Sequence, residues 1–316
     1  MNAANKCYFG DCRDSMRKMI ADGIKVQTCV TSPPYFGLRN YGVDGQLGLE
    51  STPQEYVQNM LEVFSLVHEL LHDNGVLWLN LGDSFASGGM SNPSSKSTLC
   101  GGKDRGASNY SISRGIPIGL KPKDLVGIPW RVAFALQADG WYLRQDIIWS
   151  KPNPMPESVT DRCTKSHEYL FLLSKSERYY FDQEAIKEES AWPDHNRFGN
   201  KNAQARRVKT LTGNMRPDAP QETDRAGRNK RSVWSVATQP YSEAHFATFP
   251  PALIEPCILA GSRPGDIVFD PFLGSGTTAQ VAQDLGRNWL GCELNPEYLQ
   301  LQQARTRQGG LALEAV

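Results

Sequence analysis

Short apolar runs recur along the chain at residues 7–10, 26–31, 75–81, 145–150, 168–174, 266–270 and 288–293. They are β-branched or aromatic and are bounded by Gly, Pro or Asp, a pattern that predicts buried strands. Between several of them, over residues 53–72, 123–139 and 277–285, apolar positions follow helical spacing. Strands alternating with helices predict an α/β fold, with a mostly parallel sheet of about seven strands and helices on both faces. Ligands of such sheets bind at the carboxyl ends of the strands, near a switch in strand order.

Two stretches break this rhythm. Residues 84–119 are rich in Gly, Ser and Asn and carry Lys96, Lys103, Arg105 and Arg114; residues 188–240 are polar and basic with little periodicity. Neither can add much to a packed core, and long irregular segments of compact enzymes are functional loops or linkers. The expected organisation is a core formed by residues 1–187 and 241–316, with an irregular loop at 84–119 and a basic insert at 188–240. There is no internal repeat.

A chain of 316 residues with 40% hydrophobic and 22% charged positions has the make-up of a soluble globular protein, so a disordered or membrane class is not expected. The apolar runs are too short to span a bilayer, and Met1-Asn2-Ala3-Ala4-Asn5-Lys6 lacks the apolar core of a signal peptide. The cytoplasm is the expected compartment. The seven cysteines are scattered and odd in number and form no C-x-x-C pair, which favours reduced thiols over a disulfide framework or a zinc site. The formal net charge is zero, but its distribution is uneven. Between His195 and Arg231 ten basic and three acidic residues leave a local charge of +7, and so −7 elsewhere. Such a segment suits a polyanionic partner.

Two motifs fall at the carboxyl ends of predicted strands. In Asp270-Pro271-Phe272-Leu273-Gly274-Ser275-Gly276-Thr277, the glycines permit a tight turn and close backbone approach to a ligand. The helix that follows would offer free N–H groups to an anion. The next strand ends at Glu293, about where dinucleotide folds place a ribose-binding acid. The alternatives are a structural strand-to-helix turn or an NAD site, and the absence of G-x-G-x-x-G disfavours NAD. In Thr31-Ser32-Pro33-Pro34-Tyr35, the prolines fix the backbone and offer carbonyls without N–H groups. The alternatives are a rigid turn or a polyproline recognition site. Asp11, after the first strand, reads by itself as a turn residue or helix cap more readily than as a ligand.

His68-Glu69-Leu70-Leu71-His72 matches the H-E-x-x-H pattern of zinc proteases, which would put both imidazoles on one helix face. No third ligand follows at a suitable spacing. Asp73-Asn74-Gly75 reads as a helix end, with His72 in the last turn. A metalloprotease is disfavoured on that ground.

Together the two motifs resemble the catalytic loop and the S-adenosylmethionine (AdoMet) loop of DNA amino-methyltransferases. Their order, catalytic loop first, is that of the beta group of that family. His245-Phe246-Ala247-Thr248-Phe249-Pro250-Pro251 also resembles the family's segment upstream of the cofactor loop, and Trp149-Ser150-Lys151-Pro152-Asn153 and residues 161–168 recur in it. The resemblance implies a Rossmann-like AdoMet-dependent fold with circularly permuted motif order. It assigns the cofactor to Asp11, Cys12, Thr31, Phe246, Thr248, Phe249, Asp270, Pro271, Phe272, Gly274, Ser275, Gly276, Thr277, Glu293 and Leu294. Asp11 would bind the adenine amino group, Glu293 both ribose hydroxyls, and the helix start the methionine carboxylate.

Catalysis is assigned to Ser32, Pro33, Pro34 and Tyr35. An exocyclic amine is a poor nucleophile because its lone pair is delocalised into the ring. The Ser32 hydroxyl and Pro33 carbonyl would accept from its N–H bonds, and Tyr35 would stack on the extruded base. Serine at the first motif position favours cytosine N4 as target, with adenine N6 as the alternative. The implied partner is double-stranded DNA, contacted by Lys151 and by Arg197, Arg206, Arg207, Arg228, Lys230 and Arg231 of the basic insert, read as the target-recognition segment. A cognate restriction endonuclease and a homodimer are compatible with this reading. A DNA-binding protein that lost catalysis is the competing class, and the intact motifs argue against it.

Overall fold

The computed structural model describes residues 4–86, 119–188, 227–239 and 249–307. Their elements run in chain order as β1 (Lys6–Phe9), α1 (Cys12–Ala21), β2 (Val26–Thr31), α2 (Pro53–Leu70), β3 (Leu71–Leu81), α3 (Ile128–Ala138), β4 (Tyr142–Ser150) and β5 (His167–Ser174). They continue with β6 (Val233–Ser235), α4 (Pro251–Gly261), β7 (Ile267–Asp270), α5 (Thr277–Asp284), β8 (Asn288–Glu293) and α6 (Leu299–Arg307). The chain divides into two compact units, Met1–Asp182 with Ser232–Val316, and Gln183–Arg231.

The strands form one sheet in the order β1-β8-β7-β2-β3-β5-β4-β6. Five pairings are parallel, and only those of β5 with β3 and β4 are antiparallel. The sheet has eight strands rather than about seven. The extra one, β6, lies inside the stretch read as irregular. Its three residues are too few to show a period, although Trp234 is buried.

Alternation along β3 separates the two faces. Leu77, Leu79 and Leu81 join the core built by Met16 and Met19 of α1, Met60 and Phe64 of α2, and Val132 and Leu136 of α3. Val76 and Trp78 point to the other face, under α4. There a side chain at Gly261 would lie 2.7 Å from Thr28 Oγ1 and 3.0 Å from Trp78 Nε1. Burial on both faces explains why β2 is buried at all six positions, its polar Gln27, Thr28 and Thr31 included.

Local chemistry sets the helix starts. Asp11 caps α1 by accepting from Arg13 N at 2.8 Å, and Thr52 caps α2 by accepting from Glu55 N at 3.1 Å ahead of Pro53. The start of α3 has no side-chain cap of its own. The Asp83 carboxylate, just beyond β3, supplies one by accepting from Gly127 N at 3.0 Å and Ile128 N at 3.1 Å. The positive φ of Gly127 delays this start, so the helix expected over 123–139 spans only Ile128–Ala138.

The stretch around residue 72 differs from the reading of a glycine-terminated helix. α2 stops at Leu70, and Leu71 enters β3 directly, paired with Val26 and fully buried. The sheet captures this backbone before Asp73-Asn74-Gly75 is reached. His72 is therefore an exposed strand residue, while the His68 ring packs edge-on against Trp141 with centroids 4.9 Å apart. The two imidazoles share no helix face. Among the described residues no cluster of three His, Cys, Asp or Glu groups could hold a metal ion, and no helix is long and apolar enough to cross a membrane.

Candidate functional site

β2 and β7 are hydrogen-bonded neighbours, although Thr31 and Asp270 at their ends are 239 positions apart in the chain. From β2 the order runs on to β3, and from β7 to β8 in the opposite direction. The loops after these two strands thus leave the same edge at a reversal of strand order, where a crevice must open. A cavity of about 800 Å³ lies there.

This cavity collects most of the residues singled out from the sequence. Asp11 and Cys12 line it after β1; Ser32, Pro33, Pro34 and Tyr35 after β2; Asp270, Pro271, Phe272, Gly274, Ser275 and Thr277 from the last residue of β7 onward; and Glu293 and Leu294 from the last residue of β8. Phe249 and Lys151 complete that set. Thr31 stands behind the wall, 1% exposed, with its hydroxyl on Asp270. Gly276 is the left-handed cap of α5, at φ 90°. Phe246, Thr248, Arg197, Arg206 and Arg207 lie outside the described residues. Arg228, Lys230 and Arg231 belong to the smaller unit, where Glu188 Oε2 accepts from Arg228 Nε at 3.2 Å and Arg231 Nε at 3.0 Å.

The catalytic-type loop is braced from several sides. Pro34 O accepts from the Tyr56 hydroxyl at 2.9 Å, while among the described residues no hydrogen bond reaches the Pro33 carbonyl. The Tyr35 hydroxyl lies 2.7 Å from Glu168 Oε2 and 3.0 Å from Asn80 Oδ1, and it receives a bond from Ser32 Oγ at 3.3 Å. Burial, reinforced by the Glu168 charge, holds the Tyr35 phenol well above its ordinary range. The Lys151 ammonium pairs with Glu168 Oε1 and lies 4.4 Å from the centre of the Trp149 ring. It faces the cavity from a side chain only 18% exposed.

Gly82 packs on the Tyr35 ring so closely that a Cβ there would lie 2.5 Å from Cε2. The ring cannot retreat while its hydroxyl is held between Glu168 and Ser32. Gly82→Ala is expected to displace Tyr35 and lower kcat by about tenfold or more, with cofactor affinity unchanged. Steady-state kinetics beside calorimetry checks both halves.

The cofactor-type loop is built around two acids. Asp270 is fully enclosed and accepts from Thr31 Oγ1 at 2.6 Å, Thr278 Oγ1 at 2.7 Å and Phe272 N at 3.0 Å. Burial outweighs these bonds and raises its pKa to about 6. An acid whose folded pKa is raised stabilises the fold while protonated, and that contribution is lost as pH rises through the folded value. The loss amounts to about 1.4 kcal/mol per pH unit between the two pKa values, roughly 3 kcal/mol in all. Asp270→Asn, which stays neutral, should therefore gain stability relative to the native chain between about pH 4 and 6 and hold that gain above it. Urea melts across this range measure the gap.

Glu293 shapes the loop from the other side: Oε2 accepts from Gly274 N at 2.8 Å and Oε1 from Asn295 N at 2.8 Å. Burial raises its pKa, yet each oxygen keeps a lone pair for a ligand hydroxyl. Asp11 is held below the usual carboxylate range, chiefly by the Arg13 side chain.

The residues fit an adenosyl cofactor. The cavity volume is that of a small-molecule site, an acid stands at the dinucleotide-type ribose position, and the N-terminus of α5 opens beside Ser275 and Thr277. Among the described residues Ser275 Oγ is buried without a hydrogen-bond partner, an orphan that a bound polar group would satisfy.

Asn80, Trp149 and Glu168 also line the cavity and were not singled out as site residues from the sequence. Each sits in a strand that reads as core. The available signal was polarity: Asn80 interrupts an apolar run, and Glu168 opens one.

A protein-family model described as DNA methylase matches residues 26–304. The type II methyltransferase M.Cfr9I of Citrobacter freundii is 46% identical over 296 residues, covering 93% of this chain and 85% of that protein. M.SmaI of Serratia marcescens, also a type II methyltransferase, is 45% identical over 95% of this chain and 90% of its own length. Among solved structures, the cytosine-N4-specific PvuII DNA methyltransferase superposes with a TM-score of 0.59 at 18% identity, covering 99% of this chain and 89% of that one. The M1.HpyAVI–SAM complex superposes with a TM-score of 0.52 at 18% identity, over 95% of this chain and 98% of that one.

Proposed function

This chain belongs to the N6/N4 DNA methylase family, and on that premise we propose that it moves a methyl group from AdoMet to the exocyclic N4 of cytosine in double-stranded DNA. The observation that carries the reading is the single cavity joining the Ser32–Tyr35 loop to the loop after β7. AdoMet would supply a methyl group already activated on a cationic sulfonium, and the proton that the methylated amine sheds passes to solvent, so no metal or strong base is needed at this site.

The chain's own groups bind and orient. Asp11 accepts from the adenine amino group, Glu293 from the ribose hydroxyls, and the start of α5 faces the methionine carboxylate. On the other side, Ser32 Oγ and the Pro33 carbonyl accept from the two N–H bonds of the target amine and draw its lone pair back onto nitrogen. Tyr35 offers a fixed ring face for the extruded base, returning part of the few kcal/mol that flipping costs. These acceptors are held before substrate arrives, and such preorganisation supplies most of the rate.

Serine rather than aspartate at position 32 favours cytosine over adenine. The basic segment at 188–240, with Arg197, Arg206, Arg207, Arg228, Lys230 and Arg231, is proposed to recognise the target, and Lys151 to approach a phosphate near the flipped base. A cognate restriction endonuclease, a homodimer and a cytoplasmic location belong to the same proposal. Single-molecule sequencing of DNA from cells expressing the protein tests the central reading. N4-methylcytosine at one recurring site supports it, and N6-methyladenine replaces the target base.

A further inference from the structure

Glu168, the second residue of β5, stands behind Tyr35 in the cavity wall. Its Oε2 accepts from the Tyr35 hydroxyl at 2.7 Å and from Asn80 Nδ2 at 3.2 Å. Asn80 Nδ2 also donates to the Tyr169 carbonyl at 3.1 Å, which leaves Asn80 Oδ1 facing the Tyr35 hydroxyl at 3.0 Å. Tyr35 therefore meets two oxygens that only accept. Its one proton must point to one of them, and neither can donate in return. Among the described residues, the donor left for the Tyr35 oxygen is Ser32, at 3.3 Å. A serine whose proton is engaged by Tyr35 presents only lone pairs to the cavity.

We propose that Glu168 is a positioning residue that fixes the direction of the Ser32–Tyr35–Glu168 hydrogen-bond chain, so that Ser32 Oγ accepts from an amine but does not donate to a carbonyl oxygen in the same place. The site then selects amino bases over their keto counterparts: cytosine over uracil, or adenine over hypoxanthine. The Lys151 ammonium donates to Oε1, so both oxygens of Glu168 are engaged as acceptors. The elevated Tyr35 pKa works in the same direction, because a phenol that stays protonated remains a donor to Glu168. This inference rests on the amino-methyl transfer proposed above.

Glu168→Gln keeps the shape but puts a donor beside Tyr35, so the chain direction is no longer imposed. Tyr35→Phe removes the link altogether, and Glu168→Asp keeps an obligate acceptor. Cofactor-free protein is titrated with duplexes of the mapped site carrying either cytosine or uracil at the modified position. The cost of flipping each base is common to all variants, so changes in the affinity ratio report on the pocket. Relative to the native ratio, Glu168→Gln and Tyr35→Phe should each shift preference toward uracil by about tenfold, and Glu168→Asp should restore most of it. In turnover, Glu168→Gln should lower kcat by about 100-fold, and the double variant should be no slower than the slower single. A native-like ratio in either Glu168→Gln or Tyr35→Phe, or losses that multiply in the double variant, would overturn the proposal. Product analysis of the native enzyme separates the two readings: N6-methyladenine would refute cytosine as target and move the same test to adenine and hypoxanthine.

Discussion

Gly276→Val is expected to abolish cofactor binding, lowering affinity by at least about 100-fold as read by calorimetry. Gly276 holds φ 90°, a conformation that a β-branched residue adopts only under strain. A Cβ there would also lie 3.3 Å from both Cα and Cγ of Gln302. Gln302 is not free to move aside, because its Nε2 donates to the Gly274 carbonyl at 2.8 Å. The strain and the collision act on the same few residues, and the turn that presents Gly274, Ser275 and the start of α5 must open. The sheet does not depend on this turn, so cooperative unfolding should persist. Unchanged affinity in a folded variant would remove this loop from the cofactor site.

Ser32→Ala is expected to lower kcat by about 10²- to 10³-fold, the usual cost of deleting one preorganised hydrogen-bond partner of a reacting group. Cofactor affinity should be unchanged, because the cofactor-type loop is built from β7 and β8 and is braced by Asp270 and Glu293. The fold should survive as well, since the Tyr35 hydroxyl still donates to Glu168. Single-turnover kinetics with cofactor titration separates the two effects. A variant with native turnover would mean that the amine is activated elsewhere.

The chemistry of both loops was legible because it is local. Proline removes an N–H group and fixes φ wherever it stands, and a Gly-x-Gly turn after a buried strand announces positive φ before any contact is known. Gly274 and Gly276 adopt it at 53° and 90°. The strands of the parallel sheet were legible for the same reason, as apolar runs ending in turn residues. Local pattern misled where the sheet competed with it. Asp73-Asn74-Gly75 has the composition of a helix end, yet pairing with Val26 draws Leu71 into a strand first. β6 escaped notice because three residues carry no period.

By itself the sequence determined the two motifs, the alternation of strands and helices, and the acids and hydroxyls available for chemistry. Only the tertiary structure decided which of them meet. Adjacency of β2 and β7 follows from how an entire sheet buries its two faces, a sum over many weak contacts that no single segment records. It brings Thr31 against Asp270 across 239 positions, and the antiparallel return of β5 beside β3 brings Glu168 to Tyr35 across 133. A carboxylate at the head of an apolar run reads as a strand boundary. It becomes part of a site because the sheet turns it toward a hydroxyl that is far away in the chain and 2.7 Å away in space.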